Sequence, residues 1–135
     1  MNTDLLELVK VVVTVIIAVV GWRIGHYYNS QRDKHNKRRE IRLEHLINAY
    51  RILTNEISHR KQTKEREQKL EAIISEIQLF GSVEQAQIAK QLARDIAAKK
   101  DYEYDTLINS LRSDLRKQLD VPHIEGNVTW LRFEE

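Results

Sequence analysis

An apolar run near the amino terminus, Val11–Trp22, is the strongest feature in the hydropathy pattern of the chain. Counted outward to residues 5–28 it covers 24 positions, interrupted only by Glu7, Lys10, Arg23 and His26. At about 1.5 Å of rise per residue this stretch makes about 36 Å of helix, against about 30 Å of bilayer hydrocarbon. The pattern predicts a transmembrane helix within a first segment, residues 1–28.

Two other interpretations of this run remain open. A buried strand or helix of a soluble domain would also be apolar on every face, although no later segment has a comparable β-forming composition. A cleaved signal peptide would need a positive start and a small-residue cleavage site, whereas Asp4 and Glu7 begin this chain and no Ala-x-Ala follows. Because valine, isoleucine and leucine each favour insertion, a membrane anchor is the preferred interpretation.

The charges on either side of the run predict its orientation. The 20 residues from 23 to 42 contain seven basic side chains against two acidic ones: Arg23, Arg32, Lys34, Lys37, Arg38, Arg39 and Arg42. Basic residues are retained on the cytoplasmic side, so we expect a single-pass protein of the inner (cytoplasmic) membrane. Its amino terminus would lie outside and its carboxyl-terminal domain in the cytoplasm. Trp22, Tyr27 and Tyr28 fall where an interfacial aromatic belt belongs.

Beyond the apolar run the spacing of apolar residues is helical throughout. Three- and four-residue steps predict one helix over 43–57, a second over about 66–80, a third over about 83–100 and a fourth that ends before Pro122. The predicted fold class is therefore all-α: one N-terminal transmembrane helix followed by a small cytosolic helical bundle of three to four helices. The boundaries are 29–42 for a basic juxtamembrane helix or linker, 43–122 for the bundle and 123–135 for a tail.

Local signals predict where the later helices begin and end. Gly81 is expected to adopt the left-handed conformation that ends a helix, and Ser82 with Gln85 forms a capping box for the next one. Val83 begins the predicted apolar face of the third helix. Asp101 or Asp105 is the expected N-cap of the fourth.

Composition narrows the chemistry. The chain has no cysteine, which excludes disulfides and thiolate metal sites, and only one proline and four glycines, which suits long helices. Its net charge of +2 is unevenly spread, because residues 23–42 carry +5 while residues 121–135 carry −2. This gradient fits anionic headgroups at the end next to the span.

Two sets of residues in the amino-terminal third are candidate contacts. Small residues spaced 4, 3 and 4 apart could pack two spanning helices together, or could simply face lipid: Thr14, Ala18, Gly21 and Gly25. Basic residues after the span are candidates for contact with lipid headgroups: Arg32, Lys34, Lys37, Arg38 and Arg39. Nucleic acid is the less favoured partner, because residues 30–42 contain no aromatic base-stacking side chain.

The remaining candidates lie in the carboxyl-terminal part. Glu56 and His59 have the Glu-x-x-His spacing of a metal-binding helix, but a single copy is more consistent with a solvated charged pair. No phosphate loop or nucleophile motif is present, so we expect no enzyme activity, no cofactor and no small-molecule substrate. Trp130 and Phe133 in the apolar tail are candidate partner contacts, whether the tail folds back on the bundle or docks elsewhere.

Two phrases resemble those of uncharacterised small bacterial single-pass membrane proteins with a cytosolic helical domain. The first is the Leu-Phe-Gly-Ser phrase of residues 79–82, and the second is the Leu-Arg-Ser-Asp-Leu-Arg phrase of residues 111–116. The resemblance spans about residues 40–120 and implies a bacterial or phage source and a membrane-tethered helical module. It implies no activity.

Taken together, these features predict a membrane-anchored, non-enzymatic interaction module that associates with itself or binds a membrane-proximal protein partner. An alternative is an oligomeric membrane-perturbing effector or pore subunit, for example in phage defence. Both functions would use the same span.

Overall fold

The computed structural model describes residues 2–133, and within that range the chain forms four α-helices and no strand. They are α1 (Thr3–Ile52), α2 (Lys64–Phe80), α3 (Val83–Ala97) and α4 (Asp105–Gln118). A π-helical turn, Leu53–Ile57, follows α1 directly. The predicted all-helical class is confirmed, and the three later helices begin and end close to their predicted positions.

The chain divides into two compact units, Met1–Arg39 and Glu40–Glu135. The first unit contains the amino-terminal part of α1, in which every residue from 3 to 29 is exposed. The second unit contains the last turns of α1, the π-helical turn, the three later helices and the tail. Its hydrophobic core lies between these helices.

The core of the second unit is built from one apolar face of each helix. Three- and four-residue spacing places these residues on one side, which buries them against the neighbouring helices. The buried apolar side chains are Leu46, Ala49, Leu53, Ile57, Leu70, Ile73, Ile74, Ile77, Ala89, Leu92, Leu107, Ile108, Leu111 and Leu115. Leu43 and Tyr50, on the first bundle helix, are partly buried and pack against this core.

The turn between α2 and α3 confirms one local prediction and corrects another. Ser82 Oγ accepts from Gln85 N at 3.1 Å while Gln85 Oε1 accepts from Ser82 N at 2.8 Å, which is the predicted capping box. Gly81, however, is extended (φ −68°, ψ 168°), so the left-handed prediction is wrong. Glycine is needed there for space, because a Cβ would lie 2.5 Å from the carbonyl oxygen of Ile77.

Two further local predictions are wrong. Val83 is 77% exposed, and Gln85 is buried in its place because its side-chain amide has polar partners inside. Neither Asp101 nor Asp105 caps α4, because the N-cap is Tyr104. Asp105 is the first helical residue, where its negative charge interacts favourably with the helix dipole.

The π-helical turn changes how the first bundle helix ends. Ser58 N donates to the carbonyl of Leu53 at 2.9 Å, five residues back, and His59 then adopts a left-handed conformation (φ 55°). Ser58 is buried, and the first exposed residue after the π-helical turn is His59. Thr63 provides the cap of α2 by accepting from Arg66 N at 3.2 Å.

Candidate functional site

The apolar surface of α1 in the first unit is the main candidate site. Residues 5–28 are all exposed; Ile17, for example, is 66% exposed. Exposed apolar patches of more than a few hundred Å² on soluble proteins mark interaction or membrane surfaces. Within the described residues, this is one helix long and apolar enough to cross a membrane. The surface is not covered by other parts of the described chain.

The four small residues of this segment share one face of α1. At about 3.6 residues per turn, Thr14, Ala18, Gly21 and Gly25 fall within about 60° of one another. The Thr14 hydroxyl donates to the carbonyl of Lys10 at 2.8 Å, so its donor is used within the helix. A Cβ added at Gly21 or at Gly25 would meet nothing within 4 Å. The face is therefore smooth and apolar, without a free hydroxyl donor.

Aromatic side chains mark the end of the apolar segment. The rings of Trp22 and His26 stack with centroids 5.8 Å apart, one helical turn from each other. Tyr27 and Tyr28 meet edge to face at 6.0 Å. Trp22 and Tyr28 are each 69% exposed, which leaves an amphipathic aromatic surface of the kind found at membrane interfaces.

The basic residues predicted to contact headgroups follow on the same helix. Residues 31–40 are all exposed, and this set includes each of them: Arg32, Lys34, Lys37, Arg38 and Arg39. Their backbone is helical throughout. Arg42, the last basic residue of the predicted linker, differs from these residues because its side chain forms hydrogen bonds within the second unit.

Arg42 forms a polar junction at the edge of the bundle core. Its Nε donates to the carbonyl of Phe80 at 2.8 Å, and its Nη2 donates to Asp114 Oδ2 at 3.1 Å. Gln85, which is 1% exposed, donates from Nε2 to the same carboxylate oxygen at 3.1 Å. One carboxylate on α4 therefore joins the end of α1 to the α2–α3 turn.

This junction brings together two segments that the sequence analysis singled out, residues 79–82 and residues 111–116. Phe80 and Ser82 belong to the first, and Asp114 belongs to the second. His45 on α1 adds a ring stacked on Phe80, with centroids 4.1 Å apart and planes 5° apart. Charge-assisted hydrogen bonds are among the stronger polar contacts in proteins, so we assign the two phrases a shared structural role.

The carboxyl-terminal tail lies along the bundle as an extended strap. Arg116 Nε donates to the carbonyl of Pro122 at 2.7 Å, Arg112 donates to the carbonyl of Gly126, and Asn109 Nδ2 donates to Asn127 Oδ1 at 2.6 Å. Of the two interpretations of the tail, the structure therefore shows the one in which it folds back.

Residues 128–133 of the strap alternate between two faces. Val128, Trp130 and Arg132 are partly buried, whereas Leu131 and Phe133 are 74% and 79% exposed. Trp130 packs on the core, with its ring 5.2 Å from that of His59 and 4.9 Å from the Arg132 guanidinium. Of the two predicted contact residues, Phe133 is thus available at the surface and Trp130 serves the fold.

Arg132 binds carbonyl groups at the carboxyl-terminal end of the first bundle helix. Its guanidinium donates to the carbonyl of Ser58 at 3.2 Å and to the carbonyl of Thr54. A cation at a helix carboxyl terminus is favoured by the helix dipole. The strap and the π-helical turn therefore stabilise each other.

An open groove of about 880 Å³ lies between the start of α3, α4 and the strap. Ser110, Ser113, Lys117 and His123 are among the side chains that line it, and Ser113 Oγ lies 3.4 Å from His123 Nδ1. The groove is wide and open to solvent, whereas pockets for small molecules bury most of the ligand surface.

Glu56 and His59, which have the spacing of a metal-binding helix, each contact other partners. Glu56 forms an ion pair with Lys69, which also contacts Glu65 at 3.3 Å. The hydrogen bond to Glu56, followed by that to Glu65, raises the pKa of Lys69 above its ordinary value. The His59 ring faces Trp130 instead. Among residues 2–133, no group of three or more acidic, histidine or cysteine side chains is placed to hold a metal ion.

No family model, curated protein or solved structure matches this chain.

Sequence patterns missed three features of the second unit. The charge pattern places Arg42 in the basic linker, although its spacing to Leu46, Ala49 and Leu53 puts it on the inward stripe of α1. The second feature is the exposure of Leu131 on the same side of the strap as Phe133. The groove has no signal in the sequence, because its lining comes from segments that only the fold brings together.

We expect Asp114→Asn to lower the free energy of unfolding by about 1–3 kcal/mol, because it removes the charged acceptor of two hydrogen bonds. Urea unfolding of the full chain in mild detergent, followed by circular dichroism, measures the change. The exposed Asp101→Asn is the matched control and should change stability by less than about 0.5 kcal/mol. In a double-mutant cycle with Arg42→Gln, strictly additive effects would show that the pair is uncoupled.

Partial burial, together with a hydrogen bond that the Tyr104 hydroxyl donates to the Tyr102 side chain, raises the pKa of Tyr104 to about 12 from an ordinary 10.0. The neutral phenol is therefore favoured by folding below pH 10.0, and this stabilisation is lost as the pH rises towards about 12. After a rapid pH jump, the tyrosinate absorbance of the native chain minus that of Tyr104→Phe should rise with a midpoint of about 12. In urea the same difference should titrate near 10.0, and a native midpoint there would contradict the assignment.

Proposed function

We propose that the chain is a membrane-anchored, non-enzymatic interaction module. The observation that supports this most directly is the continuous exposure of the apolar residues 5–28 on α1. A bilayer would cover that surface, whereas water would leave every one of its valine, isoleucine and leucine side chains solvated. The second unit would then be the part that meets partners.

Features of the second unit support a role in binding partner proteins. Its outward-facing Leu131 and Phe133 lie on a strap that is held to the bundle through their inward neighbours. A rigid support lowers the entropy lost on binding. Tethering to a membrane would also raise the effective concentration of the unit for other membrane-bound proteins, including further copies of itself.

The charge distribution supports one orientation for the anchor. Residues 1–22 carry two acidic side chains and one basic side chain, whereas residues 23–42 carry a net +5. The inner membrane with the second unit in the cytoplasm is the arrangement in which the basic residues stay on the cytoplasmic side.

We expect the full chain, reconstituted with phospholipid vesicles, to float with them on a density gradient and to resist extraction by high salt and alkali. Ile16→Arg should reduce this association strongly, because an arginine near the centre of a span costs about 2.5–3.5 kcal/mol. The matched control is Leu79→Arg, which places the same charge at a 75% exposed leucine of the bundle.

Recovery of the wild-type chain at the bottom of the gradient would overturn the anchor. Entrapped dye provides a second readout on the same vesicles. Dye that stays inside supports an interaction module, whereas release that depends on Gly21 and Gly25 would favour the pore-forming alternative.

Orientation can be tested because the chain contains no cysteine. We expect Asn2→Cys to react with a membrane-impermeant thiol reagent added to intact spheroplasts. Phe133→Cys, on the 79% exposed side chain of the strap, should react only after the cells are opened. The reverse pattern would contradict the proposed orientation, and labelling of both in intact spheroplasts would contradict a single span.

A further inference from the structure

The polar stretch of α1 that follows the apolar segment has a charge arrangement of its own. Residues 29–40 contain no apolar side chain, yet they are helical and, from 31 onward, fully exposed. Five of these twelve residues are lysine or arginine and two are acidic. A helix that is polar on every side needs an environment that suits charge all around it.

The basic side chains surround the helix axis. At about 100° per residue, Arg32 and Arg39 lie on one side, while Lys34, Lys37 and Arg38 lie on the other. The acidic residues, Asp33 and Glu40, fall within about 20° of each other in the gap between the two basic groups. Residues 29–40 therefore present a positively charged surface with one narrow acidic stripe, and we call this segment the collar.

This arrangement distinguishes two ways of meeting a membrane. A helix that lies along a bilayer surface has one apolar face for the acyl chains and one basic face for the headgroups. The collar lacks the apolar face entirely. Charges on all sides suit a helix that passes upright through a layer of headgroups, where phosphates surround it.

The distance along the axis separates near from distant charges. At about 1.5 Å per residue, Arg32 lies about 6 Å and Lys34 about 9 Å beyond Tyr28, whereas Arg39 lies about 16 Å beyond it. The headgroup layer on each side of a bilayer is about 5–8 Å thick, and the Debye length in physiological salt is about 8 Å. Arg32 and Lys34 therefore reach the phosphates directly, and the later charges are progressively screened.

We propose that the collar recruits anionic phospholipids around the span, and that Arg32 and Lys34 are its principal contacts. This inference rests on the proposed function, since it requires the apolar segment of α1 to be inserted. The ligand group is the headgroup phosphate of an anionic bilayer lipid. The occupant follows from charge complementarity and from the direct continuity of the collar with the exposed apolar segment.

Trp22 provides a local reporter, because it lies at the collar end of the apolar segment and the chain has only two tryptophans. In the full-length Trp130→Phe background, the protein is reconstituted in phosphatidylcholine containing a minor fraction of phosphatidylglycerol. Either lipid is supplied in brominated form, which quenches nearby tryptophan. We expect quenching by brominated phosphatidylglycerol to indicate an enrichment of about fivefold over its bulk fraction, the size expected for about one fully engaged basic residue.

Two double substitutions that remove the same charge test the depth of the contacts. Arg32→Gln with Lys34→Gln should remove most of the enrichment, whereas Arg38→Gln with Arg39→Gln should remove much less. High salt should lower the enrichment in the unsubstituted protein. Equal losses from the two pairs would overturn the assignment of Arg32 and Lys34.

The outcomes separate this inference from the proposed function. If neither brominated lipid quenches Trp22, the span itself is wrong. If both quench in proportion to their bulk fractions, the span stands and lipid recruitment is overturned. If that proportional result comes with salt-dependent retention of duplex DNA by the reconstituted protein, the collar serves a nucleic acid instead.

Discussion

The constraint on which the rest depends is the cost of leaving residues 5–28 of α1 in water. These side chains are exposed throughout, and the described part of the chain offers nothing that covers them. The hydrophobic effect favours burial of this surface, and the length and composition of the segment are those of a helix that could cross a bilayer. The proposed anchor and its orientation both depend on that burial.

The second unit depends on a different balance, between an apolar core and a few polar junctions at its edge. Leucine and isoleucine side chains supply the burial, while the Asp114 carboxylate joins Arg42 to Gln85 beside them. Apolar contacts tolerate small slips of one helix along another, whereas charged hydrogen bonds require defined distances and angles. We infer that the junction fixes how the end of α1 meets the α2–α3 turn.

Sequence patterns predicted the helical class, the approximate positions of α2 and α4, and the capping box at Ser82, because these depend on spacing within about ten residues. They failed where the neighbours of a residue come from elsewhere in the chain. Gln85 is buried and Val83 is exposed because the Gln85 amide donates to the Asp114 carboxylate, 29 positions later. Trp130 lies inward beside His59 of a distant segment, whereas Phe133 is exposed. Gly81 is a different, local case, because glycine is needed there for the space beside the carbonyl of Ile77 and not for a left-handed conformation.

The sequence by itself determined the apolar segment, its basic flank and the helical periodicity, because hydropathy, charge and spacing are local properties that need no knowledge of the fold. Only the tertiary structure decided which polar groups meet. Arg42 reaches a carboxylate 72 positions away, and Arg132 reaches carbonyls at the end of a helix 78 and 74 positions earlier. No local pattern encodes such pairs, because they form only when the packing of the core brings distant segments within hydrogen-bonding distance.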